Sequence, residues 1–564
     1  MHGSQDHSAR YTNSASGEAR LRIHNVCSHP ILRYYLQQMN LEEIVLDCLG
    51  GSRQGVIDHA KVLTILIHNL LLSPGPLYRL ADWVESIEPS VLGLSPQQLQ
   101  AINDDRAARA LEALASSRGR NVLFRLALRV IKHFELDTRR VHFDTTPVTL
   151  YGEYAASVTE PRIARGHNPN HRTDLKQLKF GLNVVADAAV PISHGIYSGN
   201  RTDDTIHRGN WDGVRELLGR ADFTYVADSK LCTRENLALI ASHGGRFVTV
   251  LPRTRGEDKR FRSTLRREGV RWRKILELPG RRLSDPPTIY STCAGPQRTD
   301  DGYRLIWVRS SAKARQDAER RQWHLEQAQR ELVELSGKLN RRKLKTRAAI
   351  KAAVRKILVR HHCRHLLQVT VRSHKVITHK RLRRGRPGPS DPVREVIGHI
   401  YSLEVAPDEE ALRRERRVDG VFPLITNLAK VSKKEILLIY KYQPYLEKRF
   451  ALLKSELSVA PVYLKKPLRI AGLLQAYFIA MVLAALIERQ VRRAMASAGI
   501  ESLPLLPEGR STRTPTTPRI LEAFQEVRWY EFEGGNQQAT FPIELTPLQE
   551  QLLWLLDVPR SLYS

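Results

Sequence analysis

Between Arg140 and Leu251 the apolar residues stop recurring at helical spacing and fall into short runs, and this change narrows the fold more than any other feature. Arg140-Val-His-Phe-Asp144-Thr-Thr reads as a short strand that ends on an acidic residue. Lys179 to Ala186 and Val190 to Tyr197 read as the next two strands, with Asp187-Ala-Ala between them as a hairpin. A helix from about Thr205 to Leu218 follows, then Phe223-Thr-Tyr-Val-Ala-Asp228, again a strand ending on Asp. A helix from Thr233 to His243 and a strand from Arg246 to Leu251 complete the segment. One Asp at a strand end is usually a turn former. Two of them, at the ends of the first and fourth strands of one core, ask for another explanation.

Strand, strand, strand, helix, strand, helix, strand is the order of an RNase H-like α/β core. In that core the first and fourth strands lie side by side, so Asp144 and Asp228 are expected on neighbouring strands. A third carboxylate is expected from Tyr440-Lys-Tyr-Gln-Pro-Tyr-Leu-Glu447-Lys-Arg-Phe-Ala-Leu-Leu-Lys454, which places one acidic residue among cations. Pro444 suits a first helical position, Glu447 and Lys454 share a helical face, and Phe450, Leu453 and Leu457 form an apolar stripe beside them. Nearby acids are expected elsewhere. Glu435 serves a capping box opened by Ser432, Glu456 is turned about 180° from Glu447 on a regular helix, and Glu488 follows a long apolar helix.

The rest of the chain divides around this core. Residues 1–20 read as a disordered polar tail without the apolar centre of a signal peptide. Residues 21–138 read as an all-helical N-terminal domain, a candidate DNA-binding module or equally a dimerisation or scaffold module, and 139–252 as the first part of the core. Residues 253–420 form a large insertion, with a solvated helical hairpin and the basic run Lys380-Arg-Leu-Arg-Arg-Gly-Arg-Pro387, whose Arg383, Arg384 and Arg386 are candidate phosphate contacts. His361-His-Cys363-Arg-His365 reads as a polar helix end, since nothing nearby completes a metal site. Residues 421–507 complete the core, 508–518 read as a linker, and 519–564 as a C-terminal segment.

The charge balance points to the partner. The chain carries 89 Lys and Arg against 59 Asp and Glu, a net charge of +30, and such an excess suits a polyanion, most simply nucleic acid. The five scattered cysteines include no CxxC pair, which argues against a zinc ribbon and favours a reducing compartment. Ile470 to Ile487 approaches spanning length, but it contains Gln475 and Tyr477 and is expected as a buried core helix, not a membrane segment.

These residues resemble the DDE transposases of bacterial insertion sequences, in the group marked by a Tyr-x2-Arg-x3-Glu-x6-Lys signature. Here the pattern falls on Tyr440, Gln443, Glu447 and Lys454, with Gln at the Arg position. Leu72 to Tyr78, Phe143-Asp-Thr-Thr146, His171 to Gln177, Gly199-Asn-Arg-Thr-Asp-Asp-Thr205, Ala227-Asp228 and Pro461 to Ile470 are similar to one branch of that group. The resemblance implies cleavage at the element's terminal inverted repeats and transfer of 3′-hydroxyls into target DNA. Asp144, Asp228 and Glu447 would then hold Mg²⁺, with Mn²⁺ as a substitute, while Tyr440, Gln443 and Lys454 contact the DNA backbone. It further implies a homodimeric synaptic complex in the bacterial cytoplasm, at the nucleoid, and an insertion-domain Trp that stacks on a flipped base, for which Trp272 and Trp307 are both candidates. A non-catalytic DNA-binding descendant, and a nuclease that does not join strands, are the alternative readings.

Overall fold

A computed structural model describes residues 20–51, 56–154, 161–168, 174–280, 285–382, 393–457, 464–534 and 537–564. The tail expected over residues 1–20 lies, but for Arg20, outside the described residues, as do Arg383, Arg384, Arg386, His171 to Thr173 and Pro461 to Tyr463. The chain divides into two compact units, Met1–Val248 with Leu438–Ser564, and Thr249–Leu437.

The first unit opens with a strand, β1 (Arg20–Asn25), where an all-helical domain is expected; Leu21 and Ile23 alternate with polar residues at the two-residue period that favours a strand. Seven helices follow: α1 (His29–Gln38), α2 (Leu41–Leu49), α3 (His59–Leu72), α4 (Leu80–Glu85), α5 (Pro96–Gln100), α6 (Asp104–Leu114) and α7 (Ser117–His133). Then come β2 (Arg140–Leu150), β3 (Lys176–Val185), β4 (Pro191–Ser198), α8 (His207–Leu218), β5 (Thr224–Val226), α9 (Arg234–Ser242) and β6 (Arg246–Val250). The strands are ordered β4-β3-β2-β5-β6. β2, β3 and β4 are antiparallel, whereas β5 is parallel to β2 and β6 to β5. The expected adjacency of the first and fourth core strands is present.

The second unit holds α10 (Gly256–Arg267), β7 (Arg273–Leu278), β8 (Thr288–Thr292), β9 (Arg304–Ser310), α11 (Ser311–Ser336), α12 (Arg347–Arg360), β10 (Leu367–Arg381), β11 (Val393–Pro407), α13 (Glu409–Arg416) and β12 (Val421–Thr426). Within it β12-β9-β8-β7 run antiparallel, and β10 and β11 form a separate two-stranded ribbon. The ends of α11 and α12 and the base of the ribbon share a core that includes Leu332, Ile350, Val354 and Val371. His361 caps α12 and its Nε2 lies 3.0 Å from Glu331 Oε1, as a polar helix end should.

After α14 (Lys433–Tyr440), the first unit resumes with α15 (Gln443–Ala451), α16 (Pro467–Ser497), α17 (Thr517–Glu522), β13 (Arg528–Gly534), β14 (Gln537–Phe541) and α18 (Pro547–Leu556). β1 pairs with β13, so the first described strand and the C-terminal segment share a sheet. The apolar helix α16 is long enough to cross a membrane by composition, but 94% of its apolar stretch is buried, against α3, α6, α18 and β4. Residues 21–138 therefore pack as part of the core. The approach is close: a Cβ on Gly472 would lie 2.0 Å from the Leu111 carbonyl oxygen of α6.

The stretch read as a linker differs from expectation. Its backbone bridges Leu503 to Thr512, Arg492 donates to the Pro515 carbonyl at 2.7 Å, and the Thr517 amide beyond it donates to buried Glu488. Ser, Thr and Pro look like linker composition locally, yet here a long-range charge supplies the anchor.

Candidate active site

The last paired residues of β2 and β5 in parallel register are His142 and Val226. Asp144 and Asp228 each lie two residues beyond that pair; Asp228 stands just past the end of β5, whereas Asp144, expected at a strand end, lies inside β2, which continues to Leu150. Asp144 Oδ1 accepts from the Thr145 amide at 2.7 Å. Asp228 Oδ1 accepts from the Lys230 amide at 2.9 Å and caps a short 3-10 turn, so it is a turn former as well as a member of the site.

Helix α15 brings Glu447 to the same place, and its buried face explains how. Gln443 is buried; its Nε2 donates to the Phe143 carbonyl at 2.9 Å and its Oε1 meets His142 Nδ1 at 3.1 Å. Burial lowers His142 to about 4, so the ring is neutral at pH 7 and donates to the amide oxygen. This corrects the expected DNA contact of Gln443. Its amide is consumed inside the protein, joining the helix of Glu447 to the strand of Asp144.

Nearly two turns further on, Arg449, 5% exposed, pairs with Glu488 at 2.9 Å and donates to the carbonyls of Ala188 and Ala189 at 2.8 and 3.1 Å. The Tyr442 hydroxyl accepts from the Ala189 amide at 2.7 Å. These contacts fall on the β3–β4 turn, where Ala188 and Ala189 have φ of 55° and 53°. That left-handed pair suits a tight hairpin but is costly for residues with a Cβ, and α15 holds it in place. Glu488 is thus a buried structural partner, shared with Arg492 at 3.3 Å.

The electrostatics report the convergence. Burial, then the charges of Asp228, Asp203 and Glu447, push the Asp144 carboxyl up to about 7 against the pull of its Thr145 hydrogen bond. Burial and Asp203 raise Asp228 also. Tyr440, half-buried at the end of α14, is pushed up to about 12 by burial and then by Asp228, Asp144 and Glu447. Lys454 is lowered by partial desolvation and supported by Asp144. The structure therefore brings Asp228, Glu447, Tyr440 and Lys454 within electrostatic reach of Asp144.

Asp203 is the member that motif reasoning missed. Its Oδ1 accepts from Thr145 Oγ1 and from Lys179 Nζ, both at 2.9 Å, and its charge acts on Asp144 and Asp228. It lies within the quoted Gly199 to Thr205 segment, so the signal was present without a role attached.

Two helical-wheel arguments need revision. Leu452–Glu456 forms a π-turn after α15, so the spacing of 3.6 residues per turn no longer places Lys454 and Glu456 relative to Glu447. Glu456 lines a separate cleft with Lys448, Ser455 and Arg492. Trp307 is buried against Phe261, with ring centroids 3.9 Å apart, and donates to the Pro296 carbonyl, which removes it as a base-stacking residue.

Chemically the site is a set of hard oxygen donors with the Lys179 and Lys454 ammoniums and the Tyr440 phenol beside it. Among the described residues no three His, Cys, Asp or Glu side chains already stand at metal-ligand spacing. Four carboxylates nevertheless gather here in a chain of net charge +30, two of them raised by burial and by their neighbours.

A family model described as a domain of unknown function, DUF4277, matches residues 21–128. No curated protein is close enough in sequence to count as a match. Among solved structures, the chain is similar to the cryo-EM structure of a piggyBac transposase synaptic complex with hairpin DNA, at 8% identity and a TM-score of 0.37. That likeness covers 89% of this chain and 80% of the other, and is too remote to bear on function.

Proposed function

We propose that this chain is a DNA transposase that cleaves at the ends of its element and joins the 3′-hydroxyl ends to target DNA. The observation that carries the reading is Asp144: it lies two residues past the last parallel pair of β2 with β5, level with Asp228, and burial, then the charges of Asp228, Asp203 and Glu447, push its carboxyl up to about 7. Gathering like charges out of water is unfavourable unless a cation joins them. The β4-β3-β2-β5-β6 order supports an RNase H-like core, and the net charge of +30 supports a polyanionic substrate.

In this reading Asp144, Asp228 and Glu447 hold Mg²⁺, or Mn²⁺ in its place, since carboxylate oxygens suit both. When bound, such ions activate the attacking oxygen and stabilise the leaving one in an in-line phosphoryl transfer. Lys454 meets a non-bridging oxygen of the scissile phosphate, and Tyr440 hydrogen-bonds the backbone beside it while staying protonated. Gln443 holds the helix of Glu447 against the strand of Asp144, and Arg449 holds it to the β3–β4 turn.

The test uses purified Asp144→Asn, Asp228→Asn and Glu447→Gln beside Glu456→Gln, with duplex DNA from the ends of the element. The first three should still shift end DNA but lose Mg²⁺-dependent cleavage and the joining of a precleaved end, whereas Glu456→Gln keeps both. Full cleavage by Glu447→Gln refutes the assignment. Binding without cleavage in the parent protein assigns a non-catalytic DNA-binding role, and cleavage without joining assigns a nuclease.

A further inference from the structure

The β10–β11 ribbon has more length than its own packing explains. Its strands pair without interruption from Leu367↔Pro407 to Arg381↔Val393. At about 3.4 Å per residue the ribbon spans roughly 50 Å. Among the described residues only its base is held: Leu367 and Val371 enter the core of the second unit, and Asn340 exchanges two hydrogen bonds with the Tyr401 backbone. Beyond Val371, most described side chains face solvent on both faces of the ribbon, including the cross-strand pair Ile377 and Ile397 at 57% and 62% exposure. An isolated two-stranded ribbon is marginal in water, and exposed isoleucines make it more so.

Its charge identifies what covers it. Lys375, Lys380 and Arg394 have no ion pair among the described residues, and the one acid among the described residues of the distal arm, Glu395, lies 3.4 Å from His379. Lys380 stands directly opposite Arg394 in the register. Like charges across a ribbon weaken it, and a polyanion laid along the arm reverses the sign of that cost. Two such arms repel one another, which argues against a second copy as the occupant. The major groove of duplex DNA, about 12 Å wide, admits a two-stranded ribbon and lines it with phosphates on both sides.

We propose that the distal ribbon is a groove-docking arm for duplex DNA, with Lys375, Lys380 and Arg394 on the phosphates and the Ile377–Ile397 pair against base edges. The proposal rests on the chain's being a DNA-binding enzyme and adds to it a second contact surface independent of the carboxylate site.

The experiment compares the full chain with its Lys375→Glu/Lys380→Glu/Arg394→Glu variant. Binding of a fluorescent random-sequence duplex is measured by anisotropy at several salt concentrations, with thermal midpoint and sedimentation recorded alongside. If the triple variant does not fold, the corresponding Gln set takes its place. Three lost phosphate contacts should make the salt slope shallower by about 2–3, so between about 50 and 200 mM salt the parent loses roughly 40-fold more affinity than the variant. Ile377→Ser/Ile397→Ser should in addition lose protection of guanine N7 in the groove. An unchanged slope and affinity in the triple variant, while the parent binds duplex, overturns the arm and leaves the enzyme reading intact. An unchanged slope with loss of a dimer assigns the arm to a second copy and also overturns it. A parent that binds no duplex refutes the DNA reading and the arm with it.

Discussion

Replacing Arg449 by Met tests how the candidate site is held. The guanidinium is buried between Glu488 and two carbonyls of the β3–β4 turn, so the substitution keeps the apolar stem and removes the charge. Breaking a buried pair from one side costs about 3–5 kcal/mol, because the remaining charge stays out of water. Glu488 keeps Arg492 at 3.3 Å and the Thr517 amide at 3.1 Å, which places its share near the lower limit. The unpaired carbonyls of Ala188 and Ala189 add about 1 kcal/mol between them, for a total of about 4 kcal/mol. Urea unfolding at pH 7.5 measures the loss, and Arg449→Met/Glu488→Leu is the control. An apolar pair of similar volume should recover at least about 2 kcal/mol, since no charge is then stranded. Mg²⁺-dependent cleavage by the single variant should fall more than DNA binding, because the same contacts position the helix of Glu447. A loss below about 1 kcal/mol, or a double variant as unstable as the sum of the singles, refutes the reasoning.

Gln443→Arg, which restores the residue of the resembled signature, should lower the thermal midpoint by burying a charge against the His142 ring; unchanged stability with tighter DNA binding would show that the position faces the ligand after all. His194, stacked between Phe180 and Phe478, is held at about 4 by burial. Its folded pKa lies below the unfolded value of about 6.5, so its contribution is intact above that pH and is lost as pH falls toward 4, by about 3 kcal/mol. His194→Phe should flatten the stability profile in that window, and a slope identical to the parent's would remove His194 as its source. Asp203→Asn should leave DNA binding unchanged and raise the Mg²⁺ concentration for half-maximal cleavage; an unaltered Mg²⁺ requirement takes Asp203 out of the site.

Sequence alone determined the features that repeat locally. The short apolar runs between Arg140 and Leu251 located all five core strands within a few residues, and their order placed Asp144 and Asp228 side by side. The apolar run of α16 was legible as a core helix because its polar Gln475 and Tyr477 suit a protein interior better than a bilayer. What tertiary structure decided is where a side chain's polar atoms go once the elements meet. Gln443 reads as a surface residue of a basic helix, yet a carbonyl and a neutral histidine 300 residues away in sequence claim its amide. Asp203 sits in a loop that no periodicity marks, and it joins the site only because Thr145 and Lys179 reach it from β2 and β3. The π-turn after Ala451 defeats any wheel drawn on 3.6 residues, since one inserted step rotates everything beyond it. The β3–β4 turn tolerates two alanines in the left-handed region because Tyr442 and Arg449 bond its backbone. Such strain is settled by contacts distant in sequence, which local pattern does not encode.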